Sequence, residues 1–157
     1  MDRKPITTKG FRRLQDELQN LISNDRGKII RDIETARAHG DLKENAEYHA
    51  AKERQSFIET RIQQLNSIMA TSEVIDVTKL NSDKVRFGAT VTYEDSETEI
   101  QTTWKIVGED ESNIENREIS IKSPIAMALI GKEEGDEVEI KIPKGKIEVE
   151  IVSIEYK

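Results

Sequence analysis

The sequence contains no cysteine among its 157 residues, and aromatic side chains make up only 4% of it. Without cysteine the chain can form neither a disulfide nor a thiolate metal site, which is typical of proteins in a reducing cytoplasm. No apolar run approaches the length of a membrane span, and the stretch MDRKPITTKG lacks the apolar core of a secretory signal. We therefore expect a cytoplasmic protein with no membrane partner.

An excess of basic residues is also missing. The net charge is -7, and residues 76–157 hold 19 acidic against 11 basic side chains. An acidic chain gains little from counterion release, so we do not expect the free protein to bind duplex nucleic acid. An acidic module can still dock on a basic protein surface.

Motifs of an independent enzyme are absent as well. The sequence has no glycine-rich phosphate loop, no Ser/His/Asp order and no redox motif. We therefore expect no independent catalysis and no cofactor bound by the free protein.

The first half of the chain carries two helical stripes. Thr7 is placed to cap the first helix, Gly27 interrupts it, and Gly40 ends it. Apolar residues then recur at steps of three and four, or their sums, in two segments of similar length: Phe11, Leu14, Leu18, Leu21, Ile29, Ile33 and Ala36, then Ala46, Ala50, Phe57, Ile62, Leu65 and Ile68. This pattern predicts an antiparallel coiled-coil hairpin over residues 1–75 with its tip at about 39–45. Because such a hairpin packs on itself, we expect a monomer.

Beyond Glu73 the apolar period changes from helical to alternating. Strands are predicted around 85–93 and 100–106, joined by an acidic turn at 95–98, and a closing hairpin over 138–154 with a bulge at Ile151-Val152. The segment 108–116 is expected to be a solvated loop, and Ser123-Pro124 opens a short helix that Gly131 closes. The fold class is therefore α+β, with a small, mostly antiparallel sheet domain over residues 76–157.

Two interpretations fit the acids at the tip. Asp41 and Glu44 have the spacing of a capping box, in which both carboxylates serve the start of the second helix. Alternatively, they hold a divalent cation at a partner's active site, since Mg²⁺ is often bound through one or two carboxylates with water and substrate phosphates completing its shell. A capping carboxylate retains a second oxygen, so both interpretations can hold.

The tip also carries cationic and imidazole side chains. Arg37 and Lys52 lie on opposite helices and could form a small basic spot suited to a phosphate, or a solvated face with partners along each helix. His39 and His49 could join the tip acids in a zinc site, but their spacing matches no zinc motif, and ordinary surface histidines are favoured.

The string ARAHGDLKENAEYHAAKE resembles the tip signature of the bacterial transcript cleavage factors, the GreA/GreB family. The resemblance covers essentially the whole chain and includes PITTKGFRRLQDEL, FGATVTY and SPIAMALIGKEEGDEVEI. It implies a coiled coil that enters the secondary channel of RNA polymerase and an FKBP-like C-terminal domain that docks at the channel rim.

The resemblance also implies roles for particular residues. Asp41 and Glu44 match the family's acids, which help to hold a Mg²⁺ shared with the polymerase active site and orient the attacking water. The polymerase then cuts the extruded RNA 3′ end of a backtracked complex. Arg37 and Lys52 match the region of the RNA-binding basic patch, which is small here. Ser123 and Pro124 lie in the region that docks on polymerase.

Two alternatives to a cleavage-stimulating factor remain at this point. A relative that binds the channel without stimulating cleavage is disfavoured by the intact Asp41 and Glu44. A prolyl isomerase is suggested only by the implied FKBP-like shape, and the low aromatic content offers little material for a proline pocket.

Overall fold

The computed structural model describes residues 3–40 and 45–157. Its contacts divide the chain into two compact units, Arg12–Thr71 and Met1–Phe11 together with Ser72–Lys157. This grouping differs from a division at residue 75 in two respects, because residues 1–11 and residues 72–75 both group with the C-terminal unit.

The elements follow one another in a simple order. The named elements of the unit Arg12–Thr71 are all helical, whereas all the named strands belong to the other unit, which also has short 3₁₀ turns at Val77–Lys79 and Ile114–Asn116. The named elements are β1 (Lys4–Thr7), α1 (Thr8–Asn20), a π-helical turn (Leu21–Asp25), α2 (Arg26–Arg37), α3 (Ala46–Thr71), β2 (Ser72–Ile75), β3 (Thr90–Asp95), β4 (Gln101–Val107), β5 (Glu118–Ser120), α4 (Pro124–Leu129), β6 (Glu137–Ile142) and β7 (Gly145–Glu155).

The unit Arg12–Thr71 is an antiparallel helical hairpin, as predicted. Its cross-helix pairs run in opposite directions along the two arms: Glu17 with Arg61 at 2.7 Å, Arg26 with Glu59 at 2.9 Å, and Asp32 with Arg54 at 3.9 Å. The hydrogen bond from the Arg61 guanidinium holds the pKa of Glu17 below its ordinary value. Within the described ranges no helix is long and apolar enough to cross a bilayer.

The apolar seam of α3 follows the predicted stripe at Ile62 and Leu65 but departs from it in the first half of the helix. Ala51, Ile62 and Leu65 are buried, whereas Ala46 and Ala50 are exposed and Phe57 is 73% exposed. The prediction for Ala46, Ala50 and Phe57 is therefore wrong. The segment carries two overlapping stripes of helical spacing, and the second one, through Ala51 and Ile58, meets Ile29 and Ile33 of α2.

The break in the first arm lies before Gly27 rather than at it. Leu21–Asp25 forms one π-helical turn, which adds a residue to the turn and keeps Leu21 buried. Gly27 itself lies inside α2, and a Cβ built on it would meet only the Arg31 guanidinium at 3.6 Å.

Gly27→Ala should therefore stabilise the hairpin. Alanine fits without strain and reduces the freedom of the unfolded chain, so the free energy of unfolding should rise by about 0.5–1 kcal/mol. Thermal unfolding followed by circular dichroism measures this change. A fall in the midpoint would mean that α2 needs glycine at this position.

The second unit contains a five-stranded sheet in the order β5-β4-β3-β7-β6. All neighbouring strands are antiparallel except β4 and β5, which are parallel. One face packs a core that includes Val91, Ile106, Ile140 and Ile151, with α4 contributing Ala126 and Leu129. The predicted mostly antiparallel sheet with one short helix is confirmed.

Several local predictions in this unit are also confirmed. The Ser123 hydroxyl accepts a hydrogen bond from the Ala126 N–H, Pro124 begins α4, and Gly131 follows it with φ +87°. In the pairing of β3 with β7, Thr92 opposes Ser153 and Tyr93 opposes Ile151, so the extra residue of the bulge is Val152.

Other details of the strand prediction are wrong. The regular strand begins only at Thr90, because Gly88 turns the chain with φ +87° in contact with Val77, where a Cβ would lie 2.5 Å from its side chain. Ile100 is 64% exposed and precedes β4, since Glu99, with φ +61°, lies at the end of the acidic turn.

A parallel pair of short strands, β1 and β2, was not foreseen. Lys4 opposes Ser72 and Thr7 opposes Ile75, so the entire helical hairpin connects two neighbouring strands of one ribbon. Each strand has only four residues, too short a run for an alternating pattern to identify from sequence.

The segment predicted to be a solvated loop contains a buried carboxylate, Glu111, which is only 3% exposed. It accepts hydrogen bonds from the Thr7 N–H at 2.8 Å, the Gly108 N–H at 2.8 Å and the Thr7 hydroxyl. Thr7 also caps α1 as predicted, since its hydroxyl accepts from the Gly10 N–H at 3.0 Å. Glu111 thus fixes the start of α1 within this unit.

Packing around Glu111 leaves no room for larger residues. A Cβ on Gly10 would lie 2.0 Å from the Glu111 carboxylate, and one on Gly108 would lie 2.3 Å from the Pro5 carbonyl oxygen. The neighbouring Glu109 is reached by Lys4 and Lys122, whose hydrogen bonds lower its pKa.

The outer face of the sheet carries like charges in register. Glu150 of β7 lies directly between Glu94 of β3 and Glu137 of β6, and all three side chains point away from the core. Directly opposed like charges destabilise a sheet.

Glu150→Lys should therefore stabilise the protein by about 0.5–1 kcal/mol at low salt, because each neighbour then meets an opposite charge. Urea unfolding at low and at 1 M NaCl measures the change. The gain should shrink in high salt through screening, and a gain independent of salt would contradict the electrostatic explanation.

Candidate functional site

The predicted acids Asp41 and Glu44 lie within residues 41–44, outside the described residues. The structure describes both flanks of this segment. On one side α2 ends at Arg37 and Gly40 takes φ +110°, a conformation that favours glycine. On the other side α3 begins at Ala46.

The cap of α3 is Asn45. Its Oδ1 accepts from the Tyr48 N–H at 3.1 Å, and its Nδ2 donates to the Ala36 carbonyl oxygen at 2.6 Å. The capping-box interpretation of Asp41 and Glu44 falls outside the described residues and stays a prediction. Asn and Asp cap equally well, and only Asn also supplies the donor that reaches the end of α2. Asn45 thus links the start of α3 to the end of α2.

The predicted basic residues flank the same segment. Arg37 and Lys52 are both exposed, and neither forms an ion pair with a residue of the described ranges. Lys52 donates to the Gln55 side chain at 3.2 Å, and the Arg37 guanidinium carbon lies 5.9 Å from the centre of the Tyr48 ring. Both cations are therefore available to an anionic ligand.

Tyr48 lies against the Arg37 guanidinium and was missed from the sequence. It contacts Arg37 of the other arm, and Lys52 follows it by one helical turn, so all three residues lie on one side of the hairpin. A tyrosine four residues before a lysine is the signal that could have identified it. The predicted spot thus includes an aromatic residue.

The histidines of the tip form no metal cluster with described residues. His39 and His49 are exposed, and His49 makes an edge contact with the Tyr48 ring, with centroids 5.6 Å apart. Over residues 3–40 and 45–157, no three histidine or acidic side chains are grouped as a metal site.

The second predicted surface lies at the start of α4. Pro124 is exposed, and Met127, one turn later, is 66% exposed while Ala126 and Leu129 face the core. The Ser123 hydroxyl is engaged as the cap of this helix. Ser123 and Pro124 therefore present a rigid, capped helix start beside an exposed apolar side chain.

Comparison with known proteins assigns the chain to a family. Residues 4–74 match the model described as "Transcription elongation factor, N-terminal", and residues 80–156 match "Transcription elongation factor, GreA/GreB, C-term". The transcription elongation factor GreA of Hyphomonas neptunium is 56% identical over 157 residues, covering 100% of both chains. That of Xylella fastidiosa is 56% identical over 155 residues, covering 98% of both chains.

Among solved structures, GreA factor homolog 1 (Gfh1) of Thermus thermophilus is 24% identical. The match covers 98% of this chain and 99% of that chain, with a TM-score of 0.45. The two family models together extend over both units, and the curated relatives match along the full length. The chain belongs to the GreA/GreB family of transcription elongation factors.

Proposed function

We propose that this chain is a transcription elongation factor that binds RNA polymerase and restarts backtracked, arrested complexes. Its helical hairpin enters the secondary channel and stimulates the polymerase's own cleavage of the nascent RNA 3′ end. The observation that carries the proposal is the pair Asp41 and Glu44, which lies between two helix ends that are closed by other residues, Gly40 and Asn45.

The two carboxylates fit a shared magnesium ion by their chemistry. Mg²⁺ in phosphoryl-transfer sites is usually held through one or two carboxylates, with waters and substrate phosphates as the remaining ligands. Asp41 and Glu44 would hold the ion together with the polymerase, which would supply the remaining protein ligands. When bound, Mg²⁺ stabilises charge on the attacking and leaving oxygens of a phosphoryl displacement.

The remaining residues of the site bind and orient. Arg37 and Lys52 contact phosphates of the extruded RNA, where guanidinium and ammonium groups serve as charge-assisted donors. Ser123, Pro124 and Met127 dock at the rim of the channel. In this proposal the catalysis belongs to the polymerase, whose own active site cuts the RNA.

A direct test uses stalled, backtracked complexes with RNA labelled at its 5′ end. Addition of the protein should shorten the RNA from its 3′ end, and the shortened RNA should extend again when nucleotides are added. Free RNA mixed with the protein alone should stay intact. Cleavage of free RNA would contradict the assignment of catalysis to the polymerase.

The same assay distinguishes the proposed function from the alternative one. A channel-binding regulator without cleavage activity would bind the complex and change its elongation rate while the stalled RNA kept its length. Binding with no RNA shortening at any protein concentration would favour that alternative over the proposed function.

A further inference from the structure

Arg37 belongs to a closed ring of contacts that joins the two arms of the hairpin. The Asn45 carboxamide donates to the Ala36 carbonyl at 2.6 Å and accepts from the Tyr48 N–H at 3.1 Å. The Tyr48 ring then lies under the Arg37 guanidinium, with 5.9 Å from its carbon to the ring centre. The peptide bond between Ala36 and Arg37 completes the ring.

Within this set of contacts, the Tyr48 side chain is held in place. Tyr48 is half-buried and packs against Ile29, Ile33 and Ala51 of the hairpin core. Its backbone N–H is held by Asn45, so neither its ring nor its backbone is free to move away. A rigid ring beside a long cationic side chain limits the conformations that the cation samples.

Arg37 gains from such a support because it forms no ion pair with a residue of the ranges 3–40 and 45–157. It is exposed, and its side chain would lose much rotamer entropy on binding an anion. A guanidinium that lies over an aromatic ring keeps its five N–H donors at its edges, where they can bind a phosphate. Cation–π contact thus orders the side chain without using its hydrogen-bond donors.

We propose that Tyr48, held by Asn45, is a positioning residue that orients Arg37 toward a phosphate of the extruded RNA. Lys52, one helical turn beyond Tyr48, supplies a second cation on the same side. This inference rests on the proposed function. Base stacking on Tyr48 is disfavoured, because Arg37 lies over the ring and His49 meets its edge.

The test is a double-mutant cycle between Tyr48 and Arg37, read as the cleavage rate of a backtracked complex at subsaturating protein. Tyr48→Leu keeps apolar volume but removes the aromatic ring, and should lower the rate about 2–5-fold, the size expected of an exposed cation–π contact. In the Arg37→Ala background the same change should have almost no effect, because the cation is already absent. Tyr48→Phe should restore most of the rate.

A second measurement on the free protein keeps the inference testable if Tyr48→Leu weakens the fold. The Arg37 side-chain N–H proton should show a ring-current shift in the NMR spectrum of the wild type and of Tyr48→Phe. The shift should vanish in Tyr48→Leu, while Lys52→Ala serves as a matched control that leaves it in place.

The outcomes are distinguishable. The positioning role would be overturned if Tyr48→Leu lowered the cleavage rate equally in the wild type and in the Arg37→Ala background. It would also be overturned if the Arg37 side-chain proton showed no ring-current shift in the wild type. A wild-type protein that stimulates no cleavage at all would instead overturn the proposed function, and with it the RNA phosphate as the ligand of Arg37.

Discussion

Cleavage of backtracked complexes should fall by about 100-fold or more when Asp41 is replaced by Asn and Glu44 by Gln. Both changes keep size and polarity but remove the negative charges that hold a cation, and loss of one preorganised electrostatic stabiliser typically costs about 100–1,000-fold. Binding to polymerase should persist, because the rest of the hairpin and the α4 surface are unchanged. The rate is measured by single-turnover cleavage, and binding is measured by competition.

The fold offers a matched control for this variant. Glu47 is an exposed acid in the first turn of α3, and Glu47→Gln makes the same chemical change just beyond the tip. It should leave cleavage close to that of the wild type. Neither variant should lower the melting temperature, since Asn45 caps α3. Full cleavage by the double variant would rule out a role for the tip acids in holding the ion.

Glu111→Gln should destabilise the protein by about 2–3 kcal/mol. The carboxylate accepts hydrogen bonds from the Thr7 N–H, the Thr7 hydroxyl and the Gly108 N–H in a buried position. A glutamine amide has only one acceptor oxygen, so at least one buried donor would lose its partner and face an N–H₂ group. Urea denaturation followed by far-UV circular dichroism gives the change in the free energy of unfolding.

Glu109 provides the comparison for Glu111. It lies two residues earlier and pairs with Lys4 and Lys122 at the surface, where ion pairs contribute little because water and salt screen them. Glu109→Gln should therefore cause a much smaller change than Glu111→Gln. Equal effects of the two variants would show that the buried position of Glu111 has no special importance.

Glycines, helix-capping residues and breaks in the apolar pattern correctly predicted the parts of the fold that depend on local backbone conformation. Gly40 and Gly131 end helices with positive φ, Ser123 caps α4, and the phase slip near Val152 is a bulge. Each of these features depends on a few neighbouring residues. The family signature, by contrast, is the source of the proposed roles of Asp41 and Glu44, which spacing alone left open between a cap and a cation site.

Features that depend on residues distant in sequence were missed. The burial of Glu111 requires Thr7, which lies about a hundred residues earlier, and the four-residue β1 is stable only beside β2. Which face of α3 is buried depended on which of its two overlapping apolar stripes packs against Ile29 and Ile33 of α2. Tyr48 was overlooked because its partner Arg37 lies on the other arm of the hairpin.

The pairing of β1 with β2 also constrains how the chain folds during synthesis. Residues 4–7 leave the ribosome first, yet their partners at 72–75 follow only after roughly 3–13 s at ~5–20 residues per second. The intervening helices can form through their own local contacts in far less time. A folded hairpin would bring its two ends together and spare most of the loop-closure entropy, so translation favours an order in which the helical hairpin forms before β1 pairs with β2.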